Sequence, residues 1–192
     1  GRMARLDDLK KFCQLHSINI ASIEELIRWR VRHDPIVKIK YRDHIISKLA
    51  GTFNFFCYSN TIDSTEHFAL VKGDIKENDK TLVRVQKLNY ISDLFKGSLK
   101  KNSYYNQNEA TIDKIMLEIS SNKKGVIVII NNNKELFRWN NTQSKNELSD
   151  SEEFREYGVG AQILRDLGVR KMILLTNSKK AIIGLKGFDL KI

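Results

Sequence analysis

The 192-residue sequence contains little cysteine and proline, and these shortages exclude several classes of protein. Its two cysteines, Cys13 and Cys57, are too few for a disulfide scaffold, which favours a reducing cellular compartment. No apolar run approaches the roughly 20 residues that a membrane-spanning helix needs, and no basic start followed by an apolar stretch marks a secretory signal. We therefore expect a globular, cytoplasmic protein that does not enter a membrane.

The sequence also lacks the spacings that build common metal and nucleotide sites. No Cys-x-x-Cys or His-x-x-x-His pair is present, so the single histidines do not predict a metal site. There is no glycine-rich or Walker-type phosphate loop. Cys57 has no base near it in sequence and is predicted to be a buried thiol, and Glu66 and His67 should point to opposite faces of a short strand. The four histidines are His16, His33, His44 and His67.

Positive charge is abundant, with a formal net charge of +10. Lysine is frequent along the whole chain together with asparagine and isoleucine, and no arginine-rich tract or aromatic-interleaved basic stripe is present. This spread indicates no nucleic-acid partner. It leaves open an attraction for a small phosphorylated ligand, or no specific role.

Pro35, the only proline, divides two helical patterns from a strand-rich remainder. Apolar residues at helical spacing predict one helix over Leu6–Cys13 and a second over Ile23–Val31, and Ser22 with Glu25 predicts a capping box for the second. About 33 residues are too few for an independent core. We expect these helices to dock on something else.

The remainder predicts an α+β fold, in which flanking helices cover a mixed β-sheet. Residues 126–130 form an unbroken apolar run, which predicts a strand buried on both sides. Residues 131–151 are polar and predict a long loop. The predicted strands are 36–41, 51–58, 67–72, 82–88, 126–130, 171–175 and a last short one, and the predicted helices are 108–120 and 160–167.

The segment 153–169 allows two interpretations. In one, it is an amphipathic helix entered through Gly158 and Gly160. In the other, Glu153, Arg155 and Tyr157 lie just before that helix, where free amide groups suit an anion. The turn after the next strand, at residues 176–180, is a further candidate for ligand binding.

Three segments resemble known families. Arg155–Val169 with the later Leu174-Leu175-Thr176-Asn177 and Gly184–Phe188 resembles the C-terminal part of GTP cyclohydrolase II, which hydrolyses GTP to a diaminopyrimidine, formate and pyrophosphate in riboflavin synthesis. Glu66–Asp74 is similar to that family's Glu-His-x-Ala-Leu-Val-x-Gly strand. Met3–Leu6 and the two helices resemble the end of dihydroxybutanone phosphate synthase, to which the cyclohydrolase is often fused.

The resemblance implies a division of the chain and a set of partners. Residues 1–34 would be the C-terminal helical tail of a dihydroxybutanone phosphate synthase domain, and residues 35–192 a GTP cyclohydrolase II-like domain. The partners implied are a second copy, in a homodimer, and the upstream synthase domain of the same polypeptide. GTP or phosphate is a further possible ligand.

The sequence departs from the family where the chemistry lies. Asn89, Lys101 and Ser103 replace the family's three zinc cysteines, so no zinc cofactor is expected. Asn131-Asn132-Asn133 stands where the guanine and phosphate loop should follow the buried strand.

The family's catalytic and nucleotide-binding residues survive only in part. The Asp-x-Arg pair is present as Glu153 and Arg155, vestigial catalytic candidates. Arg84, Thr176 and Lys180 are the vestigial nucleotide-binding candidates, although Lys180 stands one position before the lysine of the family.

We therefore expect a degenerate domain, kept for structural, dimerisation or regulatory reasons. Two alternatives remain. One is an enzyme that still hydrolyses GTP by an altered mechanism, and the other is a module that senses a nucleotide.

Overall fold

The computed structural model describes residues 3–88, 93, 111–131, 150–176 and 185–192, with the side chains of residues 24, 28, 31, 32, 150–156, 185 and 186 left aside. Within these ranges the chain forms a six-stranded mixed sheet covered by helices, as predicted for an α+β fold. The helices are α1 (Leu6–His16), α2 (Ile23–His33), α3 (Ile112–Ser121) and α4 (Asp150–Asp166), with a 3₁₀ helix at Leu185–Phe188. The strands are β1 (Val37–Ser47), β2 (Gly51–Asn60), β3 (Glu66–Lys72), β4 (Lys80–Lys87), β5 (Gly125–Ile130) and β6 (Lys171–Leu174).

The sheet has an antiparallel half and a parallel half, in the strand order β1-β2-β3-β5-β4-β6. β1, β2, β3 and β5 pair antiparallel, whereas β4 lies between β5 and β6 and is parallel to both. The carboxyl ends of β4, β5 and β6 therefore meet at one edge of the sheet. Open sheets with parallel strands commonly bind ligands at such an edge.

Two clusters of buried side chains pack on the two faces of the sheet. Tyr58, Val128 and Ile163 belong to the cluster between the sheet and α4. Phe53, Ile119 and Ile127 belong to the cluster beneath α3. All six residues of β5 are buried, which confirms the prediction of a strand buried on both sides.

β1 is longer than predicted, because its second half forms one arm of a hairpin rather than a core strand. Its pairing with β2 shifts register between Ile39 and Tyr41, and the strand then runs to Ser47 largely exposed. The backbone amides of Leu49 and Ala50 donate to the Ser47 hydroxyl, and Gly51 adopts a φ of 70°. An exposed strand of this kind has no alternating pattern to predict it.

The prediction that a helix begins at Gly160 is wrong, since α4 begins at Asp150. Gly158 and Gly160 therefore lie inside the helix. A Cβ atom on Gly160 would lie 3.3 Å from Val85 Cγ1, so this glycine permits close packing of α4 on β4. The end of the predicted 131–151 loop is therefore helical, and residues 132–149 fall outside the described part of the chain.

Both N-terminal helices are confirmed, with different degrees of packing. The Glu25 amide donates to Ser22 Oγ at 3.1 Å and the Ser22 amide donates to Glu25 Oε2 at 2.9 Å, which is the predicted capping box. Ile27 of α2 packs against the cluster below α4, whereas α1 has no buried residue.

The remaining elements lie close to their predicted positions. β6 falls within its predicted range, and α3 begins at Ile112 and ends one residue beyond the predicted 108–120, of which residues 108–110 are not described. The predicted last strand is a single bridge between Lys171 and Lys191. None of the described helices is long and apolar enough to cross a membrane.

A candidate site at the carboxyl edge of the parallel strands

Arg84 is fixed at the carboxyl edge by the residue that follows β6. Its Nη1 donates to the Leu175 carbonyl at 2.9 Å, and the Leu175 amide donates to the Val83 carbonyl at 2.8 Å. Arg84 Nε is buried and has no hydrogen-bond acceptor among the described residues. The strand order thus brings Arg84 next to exposed Thr176, two of the predicted nucleotide-binding residues. Lys180, the third, lies outside the described residues.

His67 lies at the same edge, because antiparallel β3 begins where β5 ends. It is 4% exposed, and its Nδ1 accepts a hydrogen bond of 3.2 Å from the amide of Asn131, the first residue after β5. The neutral ring therefore carries its proton on Nε2, which has no acceptor in the described part of the chain. Burial lowers the pKa of His67, and Asp63 opposes that effect only partly. A lowered pKa favours the neutral ring, and its Nδ1 ties the backbone of Asn131 to the start of β3.

Glu66 and His67 do not form an acid–base pair, as expected for adjacent residues of a strand. The Glu66 carboxylate instead forms an ion pair with Lys40, which extends from β1. Cys57 is buried as predicted, and burial raises the pKa of its thiol. A protonated thiol is a weak nucleophile.

The end of β4 differs chemically from a zinc-binding segment. Gln86 Nε2 lies 3.5 Å from Asp93 Oδ2, and the Leu88 amide donates to the Ile130 carbonyl at 3.0 Å. Across the described ranges no group of three histidine, cysteine, aspartate or glutamate side chains is placed to hold a metal ion. Asn89, Lys101 and Ser103 are not among the described residues, so their predicted correspondence to the family's zinc cysteines stays a prediction.

Glu153 and Arg155 lie in the first half of α4, and their side chains are not described. The expectation that they precede the helix is therefore wrong, and with it the anion site at a helix start near residue 158. α4 lies between β5 and β6 in the chain, and Gly160 in its second half packs near Val85 and Ile130. The position of Glu153 and Arg155 relative to Arg84, and their catalytic role, stay predictions.

Sequence reasoning alone missed the Arg84–Leu175 contact and the His67–Asn131 hydrogen bond. Each joins segments far apart in the chain, and the strand order that brings them together leaves no local signal. In the sequence, the resemblance of Glu66–Asp74 to a family strand was the indication that His67 belongs to the site region.

Comparison with known proteins gives consistent matches over the chain. A model of the GTP cyclohydrolase II family matches residues 39–192. The riboflavin biosynthesis protein RibBA of Bacillus cereus (strain AH187) is 33% identical over 100% of this chain and 50% of that protein. The monofunctional riboflavin biosynthesis protein RIBA 3, chloroplastic, of Arabidopsis thaliana is 35% identical over 100% of this chain and 39% of that protein.

A solved structure matches as well. RibBX of A. baumannii, a two-domain 3,4-dihydroxy-2-butanone 4-phosphate synthase, has 29% identity and a TM-score of 0.57 over 99% of this chain and 48% of that chain. The chain thus spans about half the length, or less, of these relatives.

Proposed function

Because the chain belongs to the GTP cyclohydrolase II family, we propose that it is a degenerate form of this riboflavin-biosynthesis domain that no longer hydrolyses GTP. Its role would be structural or regulatory, in a cytoplasmic homodimer that also carries a dihydroxybutanone phosphate synthase domain. The observation that supports the proposal lies in the sequence, where Asn89, Lys101 and Ser103 stand at the positions that the resemblance aligns with the family's zinc cysteines.

The residues present do not fit the zinc ion of the family. Zinc sites are built from thiolate, imidazole and carboxylate donors, whereas the three replaced positions hold Asn89, Lys101 and Ser103. His67 is an imidazole at the described carboxyl edge, but its Nδ1 accepts a backbone hydrogen bond and is therefore not free to bind a metal ion. We therefore derive no step through a metal-activated water.

The synthase partner is supported by the N-terminal helices. The family model begins at residue 39, yet relatives match along the whole chain, so residues 1–34 align with a part of those proteins outside the family model. α1 exposes apolar side chains that a partner domain would cover, with Phe12 53% and Leu15 78% exposed. This chain matches about half of RibBX, and the name of that two-domain protein gives only the synthase activity.

A turnover assay tests the proposed loss of activity. The chain is incubated with GTP, magnesium and zinc, and formate release is measured beside a cysteine-intact family member. We expect no formate and no stoichiometric zinc, whereas the triple variant Asn89→Cys, Lys101→Cys, Ser103→Cys should regain zinc binding. Formate above background that Arg155→Ala abolishes would overturn the proposal and favour an altered mechanism.

A nucleotide-sensing role is the second candidate, and the half-buried Arg84 side chain favours it. Arg84 keeps a cation at the edge beside Thr176 although the catalytic donors are lost. In the longer protein that carries the synthase domain, GTP should then alter the synthase rate, and Arg84→Gln should remove the response. A synthase rate that is indifferent to GTP would leave only the structural role.

A further inference from the structure

A row of three lysines crosses the opposite edge of the sheet from the candidate site. Lys80 begins β4 and pairs in register with Lys171, which begins β6, and Lys171 bridges to Lys191. Residues in register on neighbouring parallel strands extend from the same face, about 4.8 Å apart from strand to strand. At roughly 3.3 Å per residue, Lys80 lies about 13 Å from Arg84 along β4, towards the opposite end of that strand.

The described acids nearest to the row in sequence are engaged with other cations. Asp79 forms an ion pair with Lys124, and Glu77 lies 2.8 Å from Arg170. Asp189 lies 2.7 Å from Arg165. No described acid forms an ion pair with any of the three lysines, and like charges in register repel one another. The row therefore concentrates uncompensated positive charge.

The row also borders a cavity with an apolar side. The cavity has a volume of about 390 Å³, which falls in the range of small-molecule sites, and Lys80, Lys171 and Lys191 line it. Ile173 and Ile192 line it too, and they are 50% and 68% exposed. Ile173 lies two residues after Lys171 in β6, and so on the same face of the sheet.

We propose that this cavity binds a small organic phosphate, whose phosphate group lies on the lysine row and whose apolar part lies against Ile173 and Ile192. A phosphate monoester carries close to two negative charges at pH 7, and so it neutralises the row better than a single carboxylate does. The proposal does not depend on the fate of the cyclohydrolase chemistry, because none of these residues is among the catalytic or nucleotide-binding candidates.

Methyl NMR of the 192-residue chain tests the proposal, with phenyl phosphate as the probe and Ile173 and Ile192 as reporters. We expect a saturable shift of both methyl groups with phenyl phosphate, a weaker one with benzoate and none with phenol. The row variant Lys80→Gln, Lys171→Gln, Lys191→Gln should bind at least about tenfold more weakly. Lys171→Gln alone, at the centre of the row, should give the largest loss among the single variants.

The matched control removes the same charge elsewhere, through Lys38→Gln, Lys48→Gln and Lys114→Gln, three exposed lysines outside the cavity. This control should keep the affinity of the natural chain. The proposal is overturned if phenyl phosphate gives no saturable shift, if phenol shifts the methyl groups equally, or if the control variant loses as much affinity as the row variant, which would indicate net charge alone.

Discussion

The Tyr58 hydroxyl offers a sharp test of the packing between the sheet and α4. The side chain is 0% exposed, and its hydroxyl donates to Asp166 Oδ2 at 2.7 Å. Burial, with the hydrogen bond to Asp166 adding to it, raises the pKa of Tyr58 above that of an unfolded tyrosine. Stability from this group is then fully present below the unfolded pKa of about 10 and is lost as the pH rises through the folded pKa.

The magnitude follows from the ionisation of the unfolded chain. At pH 11 an unfolded tyrosine is about ten-elevenths ionised, which favours unfolding by about 1.4 kcal/mol while the folded phenol stays protonated. Tyr58→Phe removes this contribution. At pH 8 the free energy of unfolding of the variant should be about 1 kcal/mol lower than that of the natural chain, because the hydrogen bond is missing. Between pH 8 and pH 11 the free energy of unfolding should then fall by about 1.4 kcal/mol less in the variant than in the natural chain.

Urea unfolding at pH 8 and pH 11 measures both free energies. Tyr41→Phe is the matched control, because Tyr41 also donates to a carboxylate, that of Asp43, but is 54% exposed. The hydrogen bond to Asp43 raises the pKa of Tyr41 too, but solvent screens this exposed site, so the pH dependence of Tyr41→Phe should differ from that of the natural chain much less than that of Tyr58→Phe does. Equal losses of stability for the natural chain and Tyr58→Phe between the two pH values would refute the assignment.

Two further predictions concern α4 and α2. Gly160→Leu should destabilise the protein by about 1–3 kcal/mol, because a Cβ atom there already lies 3.3 Å from Val85 Cγ1, whereas Gly158→Ala should stabilise it by about 0.5–1 kcal/mol. Thermal unfolding distinguishes them, and a neutral Gly160→Leu would contradict the close packing. Ser22→Ala should lower the free energy that protects α2 amides from hydrogen exchange by about 1 kcal/mol, and unchanged protection would show that the cap is redundant.

Local patterns sufficed to predict the elements whose burial is uniform or whose ends carry a chemical signal. The apolar run of β5 and the Ser22–Glu25 capping box are of this kind, and the structure confirms both. The start of α4 was missed because glycine usually marks the end of an element, whereas Gly160 serves a close approach between helix and strand. The close approach depends on both α4 and β4, so the sequence of α4 alone does not predict it.

The sequence predicted which residues belong to the candidate site, but it did not predict how they are arranged in space. The resemblance supplied Arg84 and Thr176, but their proximity follows from the order β5-β4-β6, which puts the last strand beside one that precedes it by more than 80 residues. The same order puts Lys80 beside Lys171. Strand order is decided by packing of the whole sheet, so neither edge of the parallel strands is visible in local sequence.

The composition of the described core is compatible with the loss of chemistry that we propose. Among the described residues, the two buried clusters are built largely from the strands, α3 and α4. Their packing rests on apolar side chains, so it does not itself require metal ligands or a nucleotide-binding loop. At Asn131 the fold needs the backbone amide that His67 accepts, and any residue but proline supplies it. Selection for a stable partner of the synthase would thus preserve the sheet and both faces while leaving the carboxyl edge free to change.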